Sequence, residues 1–247
     1  MAEDFKQPPG QYAIHRPRYH RELFQWLASI SPSNRCAWDC ATGAGQAAVG
    51  LAEFFDIVLA TDINKEQIDH AEPHHKIQYS VSPAEQNDFK SQSIDLITVA
   101  CGVHWFDRKQ FFETAKRLLI PKGVIAVWTY KWPWTNSKEV DRVLAKLKDT
   151  ILENYWPQES KLYFSGYADI DFPFEEIQVP PFTLECDWQV EDLIGFISTW
   201  SAVQRYLRVN GKSPIELVKA DLIAAWKSSP PKLPLELPLY FRVGYSP

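Results

Sequence analysis

The 247-residue sequence lacks several features that would indicate particular kinds of protein. Positive charge is not in excess, since 31 acidic residues against 26 lysines and arginines give a formal net charge of -5. A chain of this charge has no general attraction for phosphate backbones or anionic lipid, so we expect neither a nucleic acid nor a membrane as partner. Every apolar run is far shorter than the roughly 20 residues that cross a bilayer. Residues 1–10 resemble neither a secretory signal nor a transit peptide, and we expect a cytoplasmic protein.

Cysteine is also scarce. The four cysteines form no CxxC pair and have no histidine at zinc-ligand spacing, so we predict no metal site. Cys36, Cys40 and Cys101 lie in short apolar runs, and we interpret them as small buried packing residues rather than nucleophiles.

Up to about residue 130, the sequence alternates short apolar runs with amphipathic helical patterns. The periodicity predicts helices at 46–55 and 109–119. The apolar runs predict strands at 36–40, 57–61, 77–81, 94–100 and 124–130. Near-continuous apolar strands between helices are typical of a parallel sheet covered on both faces, which binds ligands beyond the carboxyl ends of its strands.

The pattern changes after residue 130, and we interpret 131–175 as a helical and aromatic cap insertion with a helix at 137–154. Further elements are predicted at 176–188 (strand-like pieces), 190–206 and 214–227 (helices) and 237–245 (a final strand). Together these elements predict an α/β fold with a Rossmann-like, doubly wound, mostly parallel seven-stranded sheet. We expect a single domain over 1–247, divided into an N-terminal segment (1–30), a core (31–130), the cap (131–175) and a C-terminal part (176–247).

A glycine-bearing loop, DCATGAGQ at 39–46, follows the first predicted strand. Gly43 and Gly45 let the backbone turn sharply and approach a ligand closely. Asp62 ends the next strand, close to the offset of about twenty residues at which a carboxylate accepts hydrogen bonds from ribose hydroxyls. This pairing predicts an adenosine pocket. The alternative is that the glycines only form a tight turn and that Asp62 caps the following helix.

Asp39 bears on which adenosine cofactor is bound. Ala48 stands where a dinucleotide motif has its third glycine, and alanine is tolerated there. The carboxylate of Asp39 would repel a pyrophosphate, whereas it suits the ammonium and sulfonium groups of S-adenosylmethionine (SAM). This disfavours an NAD(P)-linked oxidoreductase.

The 39–46 loop resembles motif I, DxGxGxGQ, of class I SAM-dependent methyltransferases. Residues 38–52, 99–107 and 119–128 are similar to the methyltransferase type 11 group, which includes trans-aconitate methyltransferase-like proteins. The resemblance covers about residues 10–130 and implies SAM as methyl donor and S-adenosylhomocysteine (SAH) as product. One departure is Ala41, where the pattern most often has glycine; a methyl group is tolerable there if the backbone φ is negative.

The resemblance also implies roles for individual residues at the cofactor. It places Gly43 and Gly45 against the amino-acid end of SAM, with Asp39 nearby. It places Asp62 on the ribose hydroxyls and Ile63 beside the adenine. The other cofactor contacts that it implies are Ala41 in the loop, Ala84 and Glu85 at the adenine edge, Val103 after the fourth strand, Tyr12 over the methionine portion and Arg16 at its carboxylate. For Tyr12 and Arg16 the alternative is that both belong to a solvated arm.

The segment CGVHWF at 101–106 follows the fourth strand, where the transferred methyl would point. Methyl transfer is an in-line displacement that mainly requires positioning and exclusion of water. His104 either acts as a general base for a hydroxyl or donates a hydrogen bond to a carboxylate, which needs no deprotonation. Alternatively, His104 only orders the loop. Trp105, Trp132 and Trp134 are candidate walls of a substrate pocket.

We therefore predict a SAM-dependent methyltransferase that acts on a small molecule, with O-methylation of a carboxylate as the expected reaction. The choice of substrate follows from analogy with the group. The alternative is a methyltransferase-like SAM-binding or regulatory protein with little or no turnover, which Ala41 favours. The oligomeric state is left open.

Overall fold

The computed structural model describes residues 16–130, 132–227 and 230–247. These residues form two compact units. The first, which we call the sheet unit, consists of 18–130, 161–182 and 238–247. The second, which we call the helical unit, has its described residues in 16–17, 132–160, 183–227 and 230–237. The expectation of a single domain over 1–247 stays a prediction.

Nine strands occur in the described residues, and most of the apolar runs that predicted strands coincide with them. The strands are β1 (Cys36–Cys40), β2 (Ile57–Asp62), β3 (Ile77–Val81), β4 (Ile94–Ala100), β5 (Leu119–Tyr130), β6 (Trp134–Thr135), β7 (Glu175–Glu176), β8 (Thr183–Trp188) and β9 (Leu233–Tyr245). β1, β3 and β4 have the predicted bounds. β5 begins five residues before the predicted 124, since an irregularity in its pairing with β4 brings 119–123 into the strand.

In the sheet unit, five parallel strands are arranged in the order β3-β2-β1-β4-β5, and β5 pairs antiparallel with residues 239–245 of β9. This confirms the Rossmann-like, mostly parallel fold. The predicted number of seven strands is too low for the described residues. β6 and β7 have two residues each, too few to produce a periodic pattern in the sequence.

The helices of the sheet unit bury the faces that their periodicity indicates. The α-helices within the described residues are α1 (Arg21–Ile30), α2 (Gln46–Ala52), α3 (Lys65–Asp69), α4 (Arg108–Leu118), α5 (Lys138–Lys146), α6 (Ser160–Phe164), α7 (Val190–Ser198), α8 (Ser201–Asn210) and α9 (Lys219–Lys227). In α4, Phe111, Phe112 and Leu118 are buried in the main hydrophobic cluster. Phe172 and Phe174 join this cluster, with ring centroids 5.7 and 5.8 Å from that of Phe112. Residues 161–175, predicted to be part of the cap, therefore pack within the sheet unit.

In the helical unit, the predicted helix at 190–206 is broken into α7 and α8. The break lies at Trp200, whose backbone is extended (φ -72°, ψ 139°). Just before it, the Thr199 hydroxyl donates to the Phe196 carbonyl at 2.6 Å. Such side-chain bonds compete with the helical backbone pattern. The predicted helix at 137–154 likewise keeps its α-helical form only in α5.

Among the described residues, no helix is both long enough and apolar enough to cross a bilayer. The same residues contain no group of three or more histidine, cysteine or acidic side chains suited to a metal ion. Cys40 is buried, whereas Cys36 and Cys101 are half-buried, so the prediction of buried packing cysteines is right only for Cys40. Burial, followed by the charge of Asp95, raises the pKa of the Cys36 thiol to about 11, which makes it a poor nucleophile.

Candidate functional site

The loop between β1 and α2 is a series of left-handed turns. Gly43 and Gly45 have φ values of 58° and 89°. Gly45 directly precedes α2, and a Cβ at this position would overlap the hydroxyl group of Tyr79 on β3. Glycine at position 45 is therefore required both by backbone conformation and by space.

Ala41 also has a left-handed backbone, with a φ of 56°. Alanine was expected to be tolerable here only with a negative φ, and that condition is not met. A left-handed conformation costs a residue with a Cβ about 1–2 kcal/mol. The methyl group of Ala41 faces Gly102 in the segment after β4, where an added Cβ would lie 2.8 Å from it. Ala41 is thus a strained residue inside the motif.

The carboxylate of Asp62 meets the glycine loop at the carboxyl end of β2. Its Oδ2 accepts a hydrogen bond from the Gly43 N–H at 2.9 Å, and its Oδ1 accepts one from the Asn64 N–H at 2.8 Å. Burial raises the pKa of Asp62, and these backbone bonds oppose the rise. The alternative that Asp62 caps the following helix is wrong, because Asn64 is the N-cap of α3 and accepts from the Glu66 N–H.

Asp39 is enclosed beneath the loop. Its two carboxylate oxygens accept hydrogen bonds from the Thr42 hydroxyl at 2.5 Å and from the Thr98 hydroxyl on β4 at 2.8 Å. Burial raises the pKa of Asp39 to about 6, although the two hydroxyl groups stabilise the charged form. Asp39 thus connects the loop, through Thr42, to β4 of the sheet, through Thr98. Its predicted proximity to the cofactor ammonium stays a prediction.

Two exposed apolar side chains stand beside Asp62 at the same edge of the sheet. Ile63, which directly follows β2, is 60% exposed, and Val81, the last residue of β3, is 51% exposed. Val81 is the register partner of Asp62. Ile63 was expected beside the adenine. Val81 was not predicted, although its place at the end of the third strand is a signal that the sequence contains.

The segment after β3 is tied to the start of α4. The Glu85 carboxylate accepts from the Asp107 N–H at 2.9 Å, and the Glu85 carbonyl accepts from the Thr114 hydroxyl at 2.7 Å. Ala84 and Val103 are both buried in the main hydrophobic cluster. Val103 as a whole has no exposed surface, so its contact with a cofactor stays a prediction.

His104 lies in the 3₁₀ turn Val103–Trp105 and is only 6% exposed. Its Nδ1 is 2.8 Å from the hydroxyl oxygen of Tyr167, and its ring is 4.9 Å from that of Trp105 and 5.9 Å from that of Tyr163. Burial, assisted by the charge of Arg108, lowers the pKa of His104 to about 3. The imidazole is therefore neutral at physiological pH. Tyr167 is 63 residues away in sequence, and nothing in the local pattern predicted the contact.

The predicted contacts from the N-terminal segment are described only in part. Tyr12 lies outside the described residues. Arg16 belongs to the helical unit, where its guanidinium carbon is 5.1 Å from the ring centroid of Phe196, within the range of a cation–π interaction. The role of Arg16 at a cofactor carboxylate stays a prediction.

The three tryptophans predicted as pocket walls differ in their surroundings. Trp105 is half-buried beside His104 in the sheet unit. Trp132 is buried in the helical unit, and its ring centroid is 4.6 Å from that of Trp200. The Lys148 ammonium lies over the Trp132 ring, 5.2 Å from its centroid. Trp134 is 55% exposed on β6. Packing within the helical unit thus accounts for Trp132, while the exposed ring of Trp134 is free to contact a ligand.

A β3-β2-β1-β4-β5 order, a glycine loop after β1 and a carboxylate ending β2 define the class of doubly wound α/β proteins that bind a nucleotide-like ligand. A family model described as a methyltransferase domain matches residues 38–127. A protein of Dictyostelium discoideum that bears the name of a methyltransferase is 34% identical over 88% of this chain and 84% of its own length. The chain belongs to this family, the class I methyltransferases of type 11.

Other relatives agree with this membership. An uncharacterized methyltransferase of Schizosaccharomyces pombe is 26% identical over 83% of this chain and 81% of its own. A solved structure described as a type II methyltransferase from Anaeromyxobacter dehalogenans is 37% identical, with a TM-score of 0.84 over 93% of this chain and 97% of that chain. A structure from Anabaena variabilis at 16% identity and a TM-score of 0.55 shares the fold.

Proposed function

We propose that this methyltransferase uses SAM as its methyl donor and methylates an oxygen of a small molecule, specifically a carboxylate. The observation that carries the cofactor part is the hydrogen bond from the Gly43 N–H to Asp62. This bond places the Asp62 carboxylate, which can accept further hydrogen bonds, next to the glycine loop. At position 45 of that loop there is no space for a side chain. This arrangement suits a ribose and an adjoining chain lying against the backbone.

The residues present fit SAM. Asp62 would accept from the ribose hydroxyls, while Ile63 and Val81 offer exposed apolar surface to an adenine ring. A bound SAM would supply an electrophilic methyl group on a sulfonium. Asp39, enclosed below the loop, contributes negative potential that opposes a pyrophosphate and favours the cationic donor.

The carboxylate part of the proposal follows from the surroundings of His104. A lone pair of the acceptor oxygen forms the bond to the methyl carbon, and the electron pair of the broken carbon–sulfur bond stays on sulfur. A carboxylate enters this exchange already deprotonated, whereas a hydroxyl must lose a proton. Because the pKa of His104 is lowered to about 3, its imidazole is a weak base for that purpose. The positive charge of Arg108 nearby favours an anionic acceptor.

Isothermal titration calorimetry tests the cofactor part. We expect SAM and SAH to bind and NAD to bind more weakly than either. Asp62→Asn should weaken SAM binding about 10-fold or more, since it removes charged hydrogen bonds. Asp56→Asn, a matched change at the exposed residue just before β2, should leave the affinity unaltered. Absence of SAM binding at millimolar concentration would refute the proposal.

A screen for SAH formation with small carboxylic acids and phenols tests the acceptor. Turnover with a carboxylic acid supports the proposal, whereas turnover confined to phenols contradicts the carboxylate assignment. SAM binding with no turnover of any acceptor would favour the alternative of a SAM-binding regulatory protein. A cytoplasmic location, a small-molecule partner and cofactor contacts at Ala84, Glu85, Tyr12 and Arg16 belong to the same proposal.

A further inference from the structure

The hydrogen bond between His104 and Tyr167 bears on which imidazole nitrogen carries the proton. A neutral histidine has one nitrogen that donates and one that accepts. The phenol is the more acidic partner of the two and the imidazole nitrogen the more basic one, so the favoured arrangement is donation from the Tyr167 hydroxyl to Nδ1. The remaining proton of the ring then resides on Nε2.

The Nε2 atom of His104 is available to a ligand. No hydrogen-bond partner for it occurs within residues 16–130, 132–227 and 230–247. Fully buried side-chain nitrogen and oxygen atoms without a partner do occur in these ranges, but Nε2 of His104 is not one of them, so part of its surface is exposed. An N–H at this position would therefore complete its hydrogen bonding with an acceptor oxygen.

The backbone around Tyr167 is held in an unusual conformation. Gly166 and Tyr167 both have left-handed backbones, with φ values of 66° and 64°. Non-glycine residues in this region are uncommon and concentrate at functional sites. A Cβ on Gly166 would lie 3.0 Å from the ring of Tyr240 on β9, so the turn rests directly against this strand.

Arg242 on β9 fixes the same turn. Its guanidinium donates to the carbonyls of Tyr167 at 3.1 Å and Ile170 at 2.8 Å. It also makes two hydrogen bonds to the Glu176 carboxylate, at 2.6 and 2.7 Å. A bidentate ion pair of this kind restricts the guanidinium to one orientation. The Tyr167 hydroxyl is therefore presented to His104 by a turn with little freedom to move.

We propose that Tyr167 is a positioning residue, which holds His104 with its proton on Nε2 so that His104 donates a hydrogen bond to the methyl acceptor and does not remove a proton from it. The role at the acceptor rests on the proposed function. The tautomer itself depends only on the geometry within the sheet unit. The low pKa of His104 agrees with this arrangement, because a neutral ring is needed for a defined tautomer.

Nuclear magnetic resonance of the ligand-free protein tests the tautomer. In protein labelled with ¹⁵N-histidine, long-range ¹H–¹⁵N correlations distinguish a protonated Nδ1 from a protonated Nε2, and His104→Gln identifies the signals of residue 104. We expect the proton on Nε2 in the wild type. Tyr167→Phe keeps the ring and should displace the Nδ1 resonance or mix the tautomers. Tyr163→Phe, which alters a ring that contacts the same imidazole edge-on, should leave the tautomer unchanged.

A proton on Nδ1 in the wild type, or an unaltered His104 spectrum in Tyr167→Phe, would overturn the inference. Neither readout requires SAM or turnover, so these failures are distinct from failure of the proposed function. With a carboxylate acceptor, Tyr167→Phe should lower kcat about 10-fold and leave the dissociation constant of SAM unchanged. The wild-type kcat should be flat between about pH 6 and 8, because no proton is removed. An unchanged kcat in the variant, or a rise of kcat with pH that depends on His104, would contradict the donor role.

Discussion

Replacing Ala41 by glycine should stabilise the protein, even though glycine is the more flexible residue. The left-handed φ of 56° costs alanine about 1–2 kcal/mol, which glycine avoids. Glycine in turn adds about 0.4–1 kcal/mol of conformational entropy to the unfolded chain. The midpoints of these two ranges differ by about 0.8 kcal/mol, and the free energy of unfolding should rise by about this amount. For a chain of this length, this corresponds to about 1–4 °C in melting temperature.

Urea denaturation followed by circular dichroism measures this change. Ala48→Gly is a matched control, since Ala48 is buried in α2 and has no left-handed strain to lose. It should destabilise the protein by about 1 kcal/mol, the usual cost of glycine within a helix, and by about 0.8 kcal/mol more for the lost buried methyl group. If Ala41→Gly destabilises the protein as much as the control does, Ala41 is not strained and the reasoning fails.

A double-mutant cycle with Gly102 tests the contact between the two segments. Gly102→Ala alone should cost about 1–3 kcal/mol, because the new methyl lies 2.8 Å from the Cβ of Ala41. In the Ala41→Gly background this contact disappears and the contact with Val99 at 3.2 Å remains. The cost should then fall by about 0.5 kcal/mol or more. Additive effects would show that the segments do not touch as described.

Three further changes have defined outcomes. Lys122→Gly, at a second left-handed residue (φ 62°), should raise the free energy of unfolding by about 0.5–1 kcal/mol in urea titrations, and a loss would contradict this. Because the pKa of Asp39 is raised from 3.8 to about 6, the folded state binds the proton more tightly than the unfolded state does. Wild-type stability should therefore fall by roughly 2 kcal/mol relative to Asp39→Asn as the pH rises from about 4 to about 7. A difference that is constant with pH would refute this. Gly45→Ala should destabilise the protein by about 2 kcal/mol or more, and by more than Gly211→Ala, whose Cβ would meet no atom within 4 Å. Equal losses would show that Tyr79 does not occupy the space beside Gly45.

The parallel strands were predictable because they are buried on both faces. β4 shows the reason: six of its seven residues are buried, and its sequence is a mostly apolar run, interrupted by Asp95 and Thr98, with bounds visible in the chain. β6 and β7 have no such signal, because each is too short to have a period. The break at Trp200 was also hidden, since the pattern of apolar residues continues through it.

At the site, the proximity of Asp62 to the glycine loop was predictable from their separation in sequence, because the carboxyl ends of parallel strands lie at one edge of the sheet. The pairing of His104 with Tyr167 was not. It depends on how the turn at Gly166 folds back, and short-range patterns carry no information about such contacts. The left-handed φ of Ala41 was similarly hidden, because an alanine in the sequence gives no sign of a backbone that glycine would normally adopt.

The hydroxyl of Tyr79, which donates to the Glu72 carbonyl at 2.9 Å and occupies the space next to Gly45, has an evolutionary consequence. A side chain at position 45 would displace this hydroxyl and would also carry the cost of a left-handed backbone. A change at position 79 removes only the first of these two constraints. Glycine should therefore persist at position 45 in related chains even where position 79 is not tyrosine.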